Sequence, residues 1–588
     1  MRRTALIGVS LALTVVACSG DSSSSDNESD NDGDTVESVN EAVQAELSSG
    51  EAVVTVESSA NAGLVAVVTI DAESPVRASV SARSGDHVVE TPSTTDAADT
   101  LEIPVVGLRS NRDYELEIEI DAGDGEVVVV EQAYTTEELP DWIADFEVSI
   151  DADRTSPGYT IIEVDPQAPD DPGPYTQYLA AYDNTGEIVW YYTNFGSLGG
   201  VEQTPGGTFL AHYWPYGVRE FDVTGEVVAQ WRPQPLEVPP GVVDDSALLA
   251  QVDPDQVDFL GDTLVGNDGD AEPTPVRADW VSLEGVHHEN WPMPNGNLLV
   301  LSTTTHELTQ DQRDVLCPGD PNEFDVISDV AVEHEPDGTV VRTWDLWDSI
   351  DVLEFPGRSM CIEDDLFAEP ERRDWTHANS VIYDPVRDAV LVSVRHTDQI
   401  IAFDHLDAEG AQTEVRWILG NGSTMPFVGE ESYHQHAVEV LPDGALVVFD
   451  NGNGRPGTSP DDPANPPYSR AVVYEVDDTG DDPSAWSATQ RWEFVLDDDD
   501  GKPVFTAFIG DADVLANGNV LVTFGGQGAF PPDPENPLRA TIVEVVPAGE
   551  SGGEVVAEFS SDPRAPITVY RSERIESFYV GPQWSPRS

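Results

Sequence analysis

Residues 433–455, YHQHAVEVLPDGALVVFDNGNGR, place apolar residues at every second position on both sides of a turn signal. A period of two is typical of half-buried β-strands, and a Pro-Asp-Gly triplet is a strong turn signal. The stretch therefore predicts a β-hairpin that begins with two histidines and ends in Asn-Gly-Asn-Gly-Arg. Its apolar positions are Val438, Val440, Leu446 and Val448.

The same hairpin recurs along the chain from about residue 150 onwards. It returns as VEQTPGGTFLAH, ENWPMPNGNLLVLS and ADVLANGNVLVTFG and, with a longer turn, as NSVIYDPVRDAVLVSV. A second repeated element is a strand that closes on an aromatic residue, at Trp190, Trp231, Trp344, Trp417, Trp492 and Phe559. Six irregular units of four strands predict a six-bladed β-propeller over residues 150–588, with five or seven blades as the alternative counts.

A separate run of short strands precedes the propeller. Residues 49–138 contain about seven strongly alternating segments, such as AVVTVESSA and YELEIEIDA, at the spacing of a β-sandwich. The stretch VGLRSNRDYELEIEI resembles the turn of fibronectin type III domains. The fold class is therefore all-β, with an N-terminal fibronectin III or Ig-like sandwich followed by the propeller.

The charge of the chain restricts its partners. It carries 111 Asp and Glu against 27 Lys and Arg, a net charge of -84, and Lys502 is its single lysine. Such a surface repels nucleic acid and anionic lipid headgroups, so no nucleic-acid partner is expected. Adaptation to a salty environment explains most of this excess. Calcium binding by an Asp-rich loop such as DDDDGK is left open.

The N-terminus predicts export. MRRTALIGVSLALTVVACSG has two arginines, an apolar run and then Val-Val-Ala-Cys, which indicates a signal peptide over residues 1–18 that ends like a bacterial lipobox. Cys18 would be the lipidated residue, and residues 19–48 would form a disordered acidic tether. We expect an exported protein, lipid-anchored at Cys18 to the outer side of the membrane, in the periplasm or at the cell surface. The alternative is an ordinary signal peptide with an incidental cysteine.

Two further cysteines, Cys317 and Cys361, remain in the sequence. In an exported protein, a pair of cysteines is more typical of a disulfide than of a metal site, and their spacing matches no zinc motif. We therefore predict a disulfide between them.

Three histidines occupy equivalent positions in the hairpins. Counting back eight residues from the turn glycine leads to His288 and His436 in two hairpins and to glycines in two others, and the long-turn hairpin starts at His377. Histidine makes up only 11 of 588 residues, so this coincidence indicates a shared role. Innermost propeller strands converge on the central channel, and we therefore expect the three imidazoles to lie together.

Symmetry about each turn predicts the cross-strand partners of these histidines. The facing pairs would be His288 with Thr303, His436 with Asn451, and His377 with Arg395, with Asn379 beside them. A group of imidazoles, a guanidinium and amides suits an anion with several oxygens. Core histidines without a function and a three-histidine metal site are the alternatives. A metal would leave Arg395 without a purpose, so no metal and no cofactor are expected.

The segments GVHHENWPMPNGNLLVL, DWTHANSVIYDPVRDAVLVSVRHTDQI and HQHAVEV…VVFDNGNGR resemble the corresponding blades of bacterial arylsulfate sulfotransferases. The resemblance spans roughly residues 150–588 and includes the order signal peptide, β-sandwich, six-bladed propeller. It implies transfer of a sulfuryl group from an aryl sulfate donor to a phenolic acceptor, without the nucleotide sulfate donor of cytosolic sulfotransferases. It also implies that His436 is the nucleophile, in a ping-pong reaction through a sulfo-histidine.

The other site residues take their expected roles around this nucleophile. His288, His377, Asn379 and Arg395 would surround the sulfate oxygens, and a protonated His288 or His377 would assist the leaving oxygen. Trp375 and Tyr433 are candidates for stacking on the aryl ring. Which of His287 and His288 faces the site depends on the strand register, and His434 likewise flanks His436.

Two other classes of function compete with this enzyme. One is a non-catalytic cell-surface propeller that binds an anionic ligand or a protein partner. The other is a propeller oxidoreductase with a metal or quinone cofactor.

Overall fold

A computed structural model of the chain describes residues 42–580, apart from 48, 124, 126, 167–176, 195–196, 215–216, 234–276, 282–284, 321, 358–359, 362–371, 406–413, 481, 499, 529–536 and 563–565. The predicted signal peptide, Cys18 and most of the predicted tether lie outside the described residues. The chain divides into two compact units, residues 1–139 with 579–588, and residues 140–578.

The first unit is a β-sandwich, as predicted. Seven strands form it: β1 (Val43–Leu47), β2 (Gly50–Ser58), β4 (Ala66–Ser84), β5 (His87–Glu90), β6 (Ala98–Val105), β7 (Asp113–Asp121) and β8 (Val127–Thr135). The short strand β3 (Ala62–Gly63) is not paired with any of these seven. The long strand β4 belongs to both layers, because its first half pairs with β2 and β6 and its second half pairs with β5 and β7. The predicted tether, residues 19–48, extends too far, because its last residues include β1, which pairs with β2.

The sandwich core follows directly from the alternation in the sequence. Along β7, Tyr114, Leu116, Ile118 and Ile120 are buried, and the intervening residues are exposed. Successive side chains of a strand point to opposite faces, so this pattern gives one apolar and one hydrated face. The buried face packs against valines and isoleucines of β2, β4 and β6.

The second unit is a six-bladed β-propeller. Strand β9 (Phe146–Ile150) precedes blade 1, which contains β10 (Tyr159–Pro166), β11 (Gln177–Tyr182) and β12 (Ile188–Asn194). Blade 2 contains β13 (Ser197–Gln203), β14 (Phe209–Trp214), β15 (Gly217–Phe221), β16 (Val227–Pro233) and β17 (Arg277–Val281). Blade 3 contains β18 (His287–Pro292), β19 (Leu298–His306), β20 (Asp325–His334), β21 (Val340–Asp345) and β22 (Arg372–Asp374).

The second half of the propeller repeats this arrangement. Blade 4 contains β23 (Ala378–Asp384), β24 (Ala389–Val394), β25 (Gln399–Asp404) and β26 (Val415–Gly420). Blade 5 contains β27 (Phe427–Val428), β28 (His436–Val440), β29 (Leu446–Asp450), β30 (Arg470–Asp477) and β31 (Ser487–Phe494). Blade 6 contains β32 (Asp511–Val514), β33 (Val520–Gln527), β34 (Arg539–Pro547) and β35 (Gly553–Ser561), and β36 (Ile567–Ile575) follows it. The described helices are short: α1 (Gln310–Leu316), α2 (Leu346–Ser349) and a 3₁₀ turn (Pro483–Ala485).

Both ends of the propeller chain close the ring. Strand β36 returns to blade 1 as its innermost strand by pairing with β10, and β9 adds to blade 6 by pairing with β35. The innermost strands β36, β13, β18, β23, β28 and β32 contact one another in turn around the centre. Residues at the start of these strands are therefore brought to a common place.

The repeated aromatic residues hold neighbouring blades together. One lies on the fourth strand of each blade, counted from the centre, and all six are buried. The indole nitrogen of Trp190 donates to the carbonyl of Val223 in the next blade, and Trp231 likewise donates to Pro336. These two indoles therefore bury an apolar ring between blades and satisfy their polar nitrogen there.

Two smaller predictions can also be compared with the structure. Cys317 and Cys361 form a disulfide, as predicted, which joins the end of α1 to the segment after α2. Among the described residues, no helix combines the length and the apolar character needed to cross a membrane.

Candidate active site

The innermost strands begin with irregular backbone that turns side chains toward the centre. His288 and His377 have φ angles of 59° and 47°, in the left-handed region that non-glycine residues seldom adopt. The pairing register shifts at His287/Asn290 in β18, at Ala378/Ser380 in β23 and at His436/Val438 in β28. Bulges of this kind re-aim side chains and occur often beside active sites.

The three predicted histidines meet at the centre of the propeller. The ring centroids of His288 and His377 lie 5.0 Å apart, and those of His288 and His436 lie 6.2 Å apart. Tyr570, on β36, places its ring 5.5 Å from that of His436. The prediction of a shared cluster is confirmed, and His288, rather than His287, contacts the other two members.

His436 is buried, and one of its nitrogens is committed to the backbone. Its Nδ1 lies 2.8 Å from the carbonyl oxygen of Gly510, at the start of blade 6. A carbonyl only accepts hydrogen bonds, so Nδ1 carries the proton and the lone pair of the neutral ring is on Nε2. Burial, followed by the nearby Arg571 and Arg395 guanidinium groups, lowers the pKa of His436 well below its ordinary value despite this hydrogen bond. The side chain is therefore a neutral imidazole at neutral pH.

His377 is paired with a carboxylate. Its Nδ1 forms a short hydrogen bond with Asp374 Oδ2, and the ring of His396 stacks on it at 4.6 Å. Burial acts to raise the pKa of Asp374, but the imidazoles of His377 and His396 outweigh it and hold this pKa well below its usual range. Among the described residues, ligand atoms of Asp374, His377 and His396 lie within 4.8 Å of one another, a spacing that also suits a metal ion.

His288 is linked to a carboxylate through its neighbour. Its Nδ1 lies 2.7 Å from Nδ1 of His287, and Nε2 of His287 lies 3.2 Å from Asp329 Oδ1. Burial and the surrounding imidazoles lower the pKa of His288 well below its ordinary value. His288 is therefore neutral at neutral pH, which argues against its predicted role as a general acid.

Two guanidinium groups lie close to the imidazoles. The backbone nitrogen of Arg395 donates to the carbonyl of His377 at 3.3 Å, so the predicted pairing of these residues across the long turn is confirmed. Its guanidinium donates to the carbonyl of Ala507 at 3.1 Å. Arg571 is buried and forms a 2.6 Å ion pair with Glu289.

The predicted cross-strand partners of His288 and His436, which are Thr303 and Asn451, are wrong. His287 pairs with Leu301, and Thr303 pairs with Asp329 of β20. The hairpin loops contain three residues rather than two, with a left-handed glycine at the third position, and the bulges shift the register further. His436 therefore pairs with Phe449 instead of Asn451.

The side-chain amides of Asn379 and Asn451 donate to backbone carbonyls beside the site. The amide nitrogen of Asn379 donates to the carbonyl of Gln435, next to His436, at 2.8 Å. The amide nitrogen of Asn451 donates to the carbonyls of Thr506 and Ile509, which precede Gly510. Both side chains are fully buried, and these contacts let them position the backbone beside His436 and Gly510. Their predicted contact with substrate stays a prediction.

The two aromatic candidates differ in their environment. Trp375 is fully buried in the core, and its indole nitrogen donates to Phe355 O at 2.8 Å, so its predicted stacking on an aryl ring is wrong. Tyr433 is half-buried, with the Arg455 guanidinium 5.4 Å from its ring. Its contact with substrate stays a prediction.

Several site residues were missed by the sequence reasoning. Asp374 was signalled by its position three residues before His377, and His396 by its position next to Arg395. Tyr570 and Arg571 belong to the sixth innermost strand, β36, whose partner β10 comes from the other end of the propeller chain instead of from a hairpin. No repeat signal marks that strand.

The site and its blades match a known family. The family model described as arylsulfotransferase (ASST) matches residues 152–571, and that described as the arylsulfotransferase Ig-like domain matches residues 53–138. The chain belongs to the arylsulfotransferase family. All members of the histidine cluster lie within the first match.

The curated relatives of this chain are distant. It is 22% identical over 387 residues to arylsulfate sulfotransferase AssT of Escherichia coli O6:H1 (strain CFT073), a match covering 56% of this chain and 52% of the relative. It is 24% identical over 338 residues to AssT of Lelliottia amnigena, covering 48% and 45%. The chain thus spans about half the length of the curated relatives it matches.

Similarity to solved structures is weak. A protein of unknown function from Bacteroides caccae matches with a TM-score of 0.35 and 12% identity, covering 72% of this chain and all of that one.

Proposed function

We propose that this protein transfers a sulfuryl group from an aryl sulfate donor to a phenolic acceptor by a ping-pong mechanism through a sulfo-histidine at His436. The observation that carries the proposal is the hydrogen bond from His436 Nδ1 to Gly510. It fixes the ring and leaves the Nε2 lone pair as the available nucleophile. The family match and the AssT relatives support this choice of reaction.

In the first half-reaction, Nε2 of His436 attacks the sulfur of the aryl sulfate. A nitrogen–sulfur bond forms, the bond between sulfur and the aryl oxygen breaks, and the departing oxygen takes up negative charge. His377 is placed to donate a proton to that oxygen from Nε2, because its Nδ1 is bound to Asp374.

In the second half-reaction, these steps run in reverse with the acceptor. The phenol returns a proton to His377, its oxygen attacks sulfur, and the nitrogen–sulfur bond breaks to regenerate neutral His436. The aryl sulfate and the phenol use the same acid–base group, so one site serves donor and acceptor. No nucleotide is required.

Charge on the sulfuryl oxygens requires a cation in this very acidic protein. We assign this role to Arg395, whose backbone pairs with His377 and whose charge, after burial and Arg571, lowers the pKa of His436. Removing one such fixed donor typically costs about 10²–10³ in rate. The neutral His288 packs its ring against those of His377 and His436.

The proposed location of this activity is the outer side of the cell membrane. The N-terminal residues suggest export and lipid attachment at Cys18, and sulfuryl transfer without a nucleotide donor does not depend on cytoplasmic metabolism. Metabolic labelling with a radioactive fatty acid tests the anchor. Label on the wild-type protein and none on Cys18→Ser supports it, whereas equal labelling of both contradicts it.

A colour assay tests the reaction. The protein is incubated with nitrophenyl sulfate, with and without phenol, and release of nitrophenol is followed. We expect phenol-dependent release that is abolished by His436→Asn and kept by the matched control His306→Asn, whose ring stacks on Trp347 outside the cluster. No release with a range of aryl sulfates would overturn the proposal and favour a propeller that only binds anions.

A further inference from the structure

Asp374, His377 and His396 form a compact group of metal-binding side chains beside the histidine cluster. Their ligand atoms lie within 4.8 Å of one another, and no other group of three histidines, cysteines or carboxylates in the described part of the chain has this spacing. Two imidazoles and one carboxylate are ligands that zinc sites use, with the fourth position left to water or substrate. The proposed sulfuryl transfer uses Asp374 and His377 but gives His396 no task.

His396 has one ring nitrogen committed to the backbone and the other available as a ligand. The side chain is buried, and its Nδ1 lies 3.0 Å from the backbone carbonyl oxygen of Asp374. A carbonyl only accepts hydrogen bonds, so Nδ1 carries the proton and the lone pair of the neutral ring is on Nε2. A metal-ligating histidine usually donates its other nitrogen in this way, which fixes the tautomer that binds the ion.

Backbone hydrogen bonds join the two segments that carry the three ligands. The backbone nitrogen of His396 donates to the carbonyl of Thr376 at 3.0 Å, and that of Arg395 donates to the carbonyl of His377 at 3.3 Å. Asp374 ends β22, which pairs with β20 of blade 3. The ligands are therefore held near one another before any ion binds, so binding costs little chain order.

We propose that Zn²⁺ binds reversibly to Asp374, His377 and His396 and inhibits sulfuryl transfer; the inhibition, but not the binding, rests on the proposed function. The ion takes the place of the proton in the hydrogen bond between Asp374 and His377, and that proton leaves to water. The rings of His377 and His396 are stacked with an angle of 22° between them, so they turn when both lone pairs bind one ion. This turn withdraws His377 from the leaving oxygen and from the carboxylate that orients it.

The donor atoms and the neighbouring charge define which ions bind and how tightly. Imidazole nitrogens suit zinc and copper, whereas Ca²⁺ and Mg²⁺ prefer sites made only of oxygens. The guanidinium of Arg395, next to His396 in the chain, donates to the carbonyl of Ala507 and repels a cation in its vicinity. We therefore expect an ion that a chelator removes, and not a permanently bound cofactor.

Metal content tests the site on the full protein. The purified chain is stripped with EDTA, equilibrated with Zn²⁺ in high salt that screens the acidic surface, passed through a gel-filtration column and analysed by mass spectrometry. We expect about one zinc per chain, and no bound calcium when CaCl₂ replaces the zinc salt. His396→Asn should lose the zinc. The matched control His306→Asn, whose ring stacks on Trp347 outside the cluster, should keep it.

Cobalt provides a second measurement on the unmodified protein, so it does not depend on the folding of a variant. Co²⁺ bound to two imidazoles and a carboxylate should give the visible absorption of a four-coordinate site, and added Zn²⁺ should abolish it. Zinc content near zero in the wild-type protein, or an absorption that Zn²⁺ does not change, would overturn the proposal.

Inhibition is measured separately from binding. Zinc at one equivalent per chain should lower kcat with phenyl sulfate by about 10-fold or more, and EDTA should restore it. Zinc that binds through His396 and leaves kcat unchanged would overturn the inhibition. A protein that binds zinc and turns over no aryl sulfate would contradict the proposed function, and the inhibition with it, while the metal site stands.

Discussion

The imidazole of His436 and the carbonyl of Gly510 join blade 5 to blade 6 through a 2.8 Å hydrogen bond. This hydrogen bond requires a glycine at position 510, because Gly510 has a φ angle of 118° and a Cβ there would lie 2.5 Å from a ring carbon of Phe449. The two residues are far apart in sequence and each begins an innermost strand. The blade geometry therefore fixes both the position and the tautomer of the proposed nucleophile.

The depressed pKa of His436 predicts activity in mild acid. A histidine with a lowered pKa stays neutral below its ordinary value of about 6.5, so the rate should stay constant through that pH and fall only at lower pH. The pH profile of kcat/KM with nitrophenyl sulfate, whose leaving group needs no proton, measures this. An acid limb centred at or above about pH 6.5 would contradict it, provided that circular dichroism shows a folded protein.

Asp374→Asn should impair donors with poor leaving groups selectively. The amide removes the carboxylate that orients His377 through Nδ1, so proton donation from Nε2 is impaired by about 10²-fold or more. We expect kcat with phenyl sulfate to fall by about this factor and kcat with nitrophenyl sulfate to fall much less. Equal losses with both donors would mean that Asp374 acts only on structure. Asp325→Asn, at a half-exposed carboxylate of blade 3, serves as the control.

Asn451→Ala should reduce both stability and kcat. It leaves the carbonyls of Thr506 and Ile509 without their donor, which costs about 1–3 kcal/mol, and it loosens the segment that presents Gly510 to His436. Denaturation and steady-state kinetics measure the two effects. The matched control is Asn519→Ala, which removes a buried amide bound to Arg154 O and Glu544. It should lose stability and keep kcat; the same loss of kcat in both variants would argue against positioning.

Removing the disulfide should destabilise the propeller without affecting chemistry. The bridge closes a loop with a sequence separation of 44, for which chain entropy predicts about 4 kcal/mol. Cys317→Ser/Cys361→Ser should therefore lower the free energy of unfolding by about 2–4 kcal/mol, measured by denaturant titration. Activity at low temperature should remain, and a stability equal to that of the wild type would show that the loop is held by packing alone.

Two carboxylates of the propeller channel, Glu163 and Glu439, predict an unusual dependence of stability on pH. Burial raises the pKa of both to about 8 in the folded state, from 4.5 in the unfolded chain, with Asp511 and Glu289 adding repulsion and Arg571 opposing it. Between these values the folded state holds protons that the unfolded state releases, so stability falls as pH rises. The free energy of unfolding, measured by denaturant titration, should therefore decline from about pH 5 to about pH 8, and the Glu163→Gln variant should show a smaller decline. The same decline in the variant and the wild type would contradict the account.

The period of two in the apolar residues predicted the strands, because buried and exposed side chains alternate along a half-buried strand. The hairpin repeats and six aromatic residues marked the blades, and the count of six is confirmed. The same regularity misled us about cross-strand partners, since Thr303 and Asn451 were placed by assuming two-residue loops. Bulges and left-handed residues such as His288 leave no reliable trace in sequence.

Contacts between distant strands were harder to foresee. Tyr570 and Arg571 reach the site through ring closure by β36, which no local pattern encodes. Trp375 lies two residues before His377, yet its side chain is fully buried in the core, where its indole nitrogen donates to Phe355 O.

The central claim is that His436 carries the sulfuryl group between donor and acceptor, and intact-peptide mass spectrometry tests it most directly. The protein is mixed with nitrophenyl sulfate without acceptor, quenched in alkali, digested and analysed. The account predicts an added mass of about 80 Da, that of SO₃, on the peptide containing His436, which disappears when phenol is added before the quench. Turnover with no modified peptide, or the same added mass on another residue in His436→Asn, would contradict it.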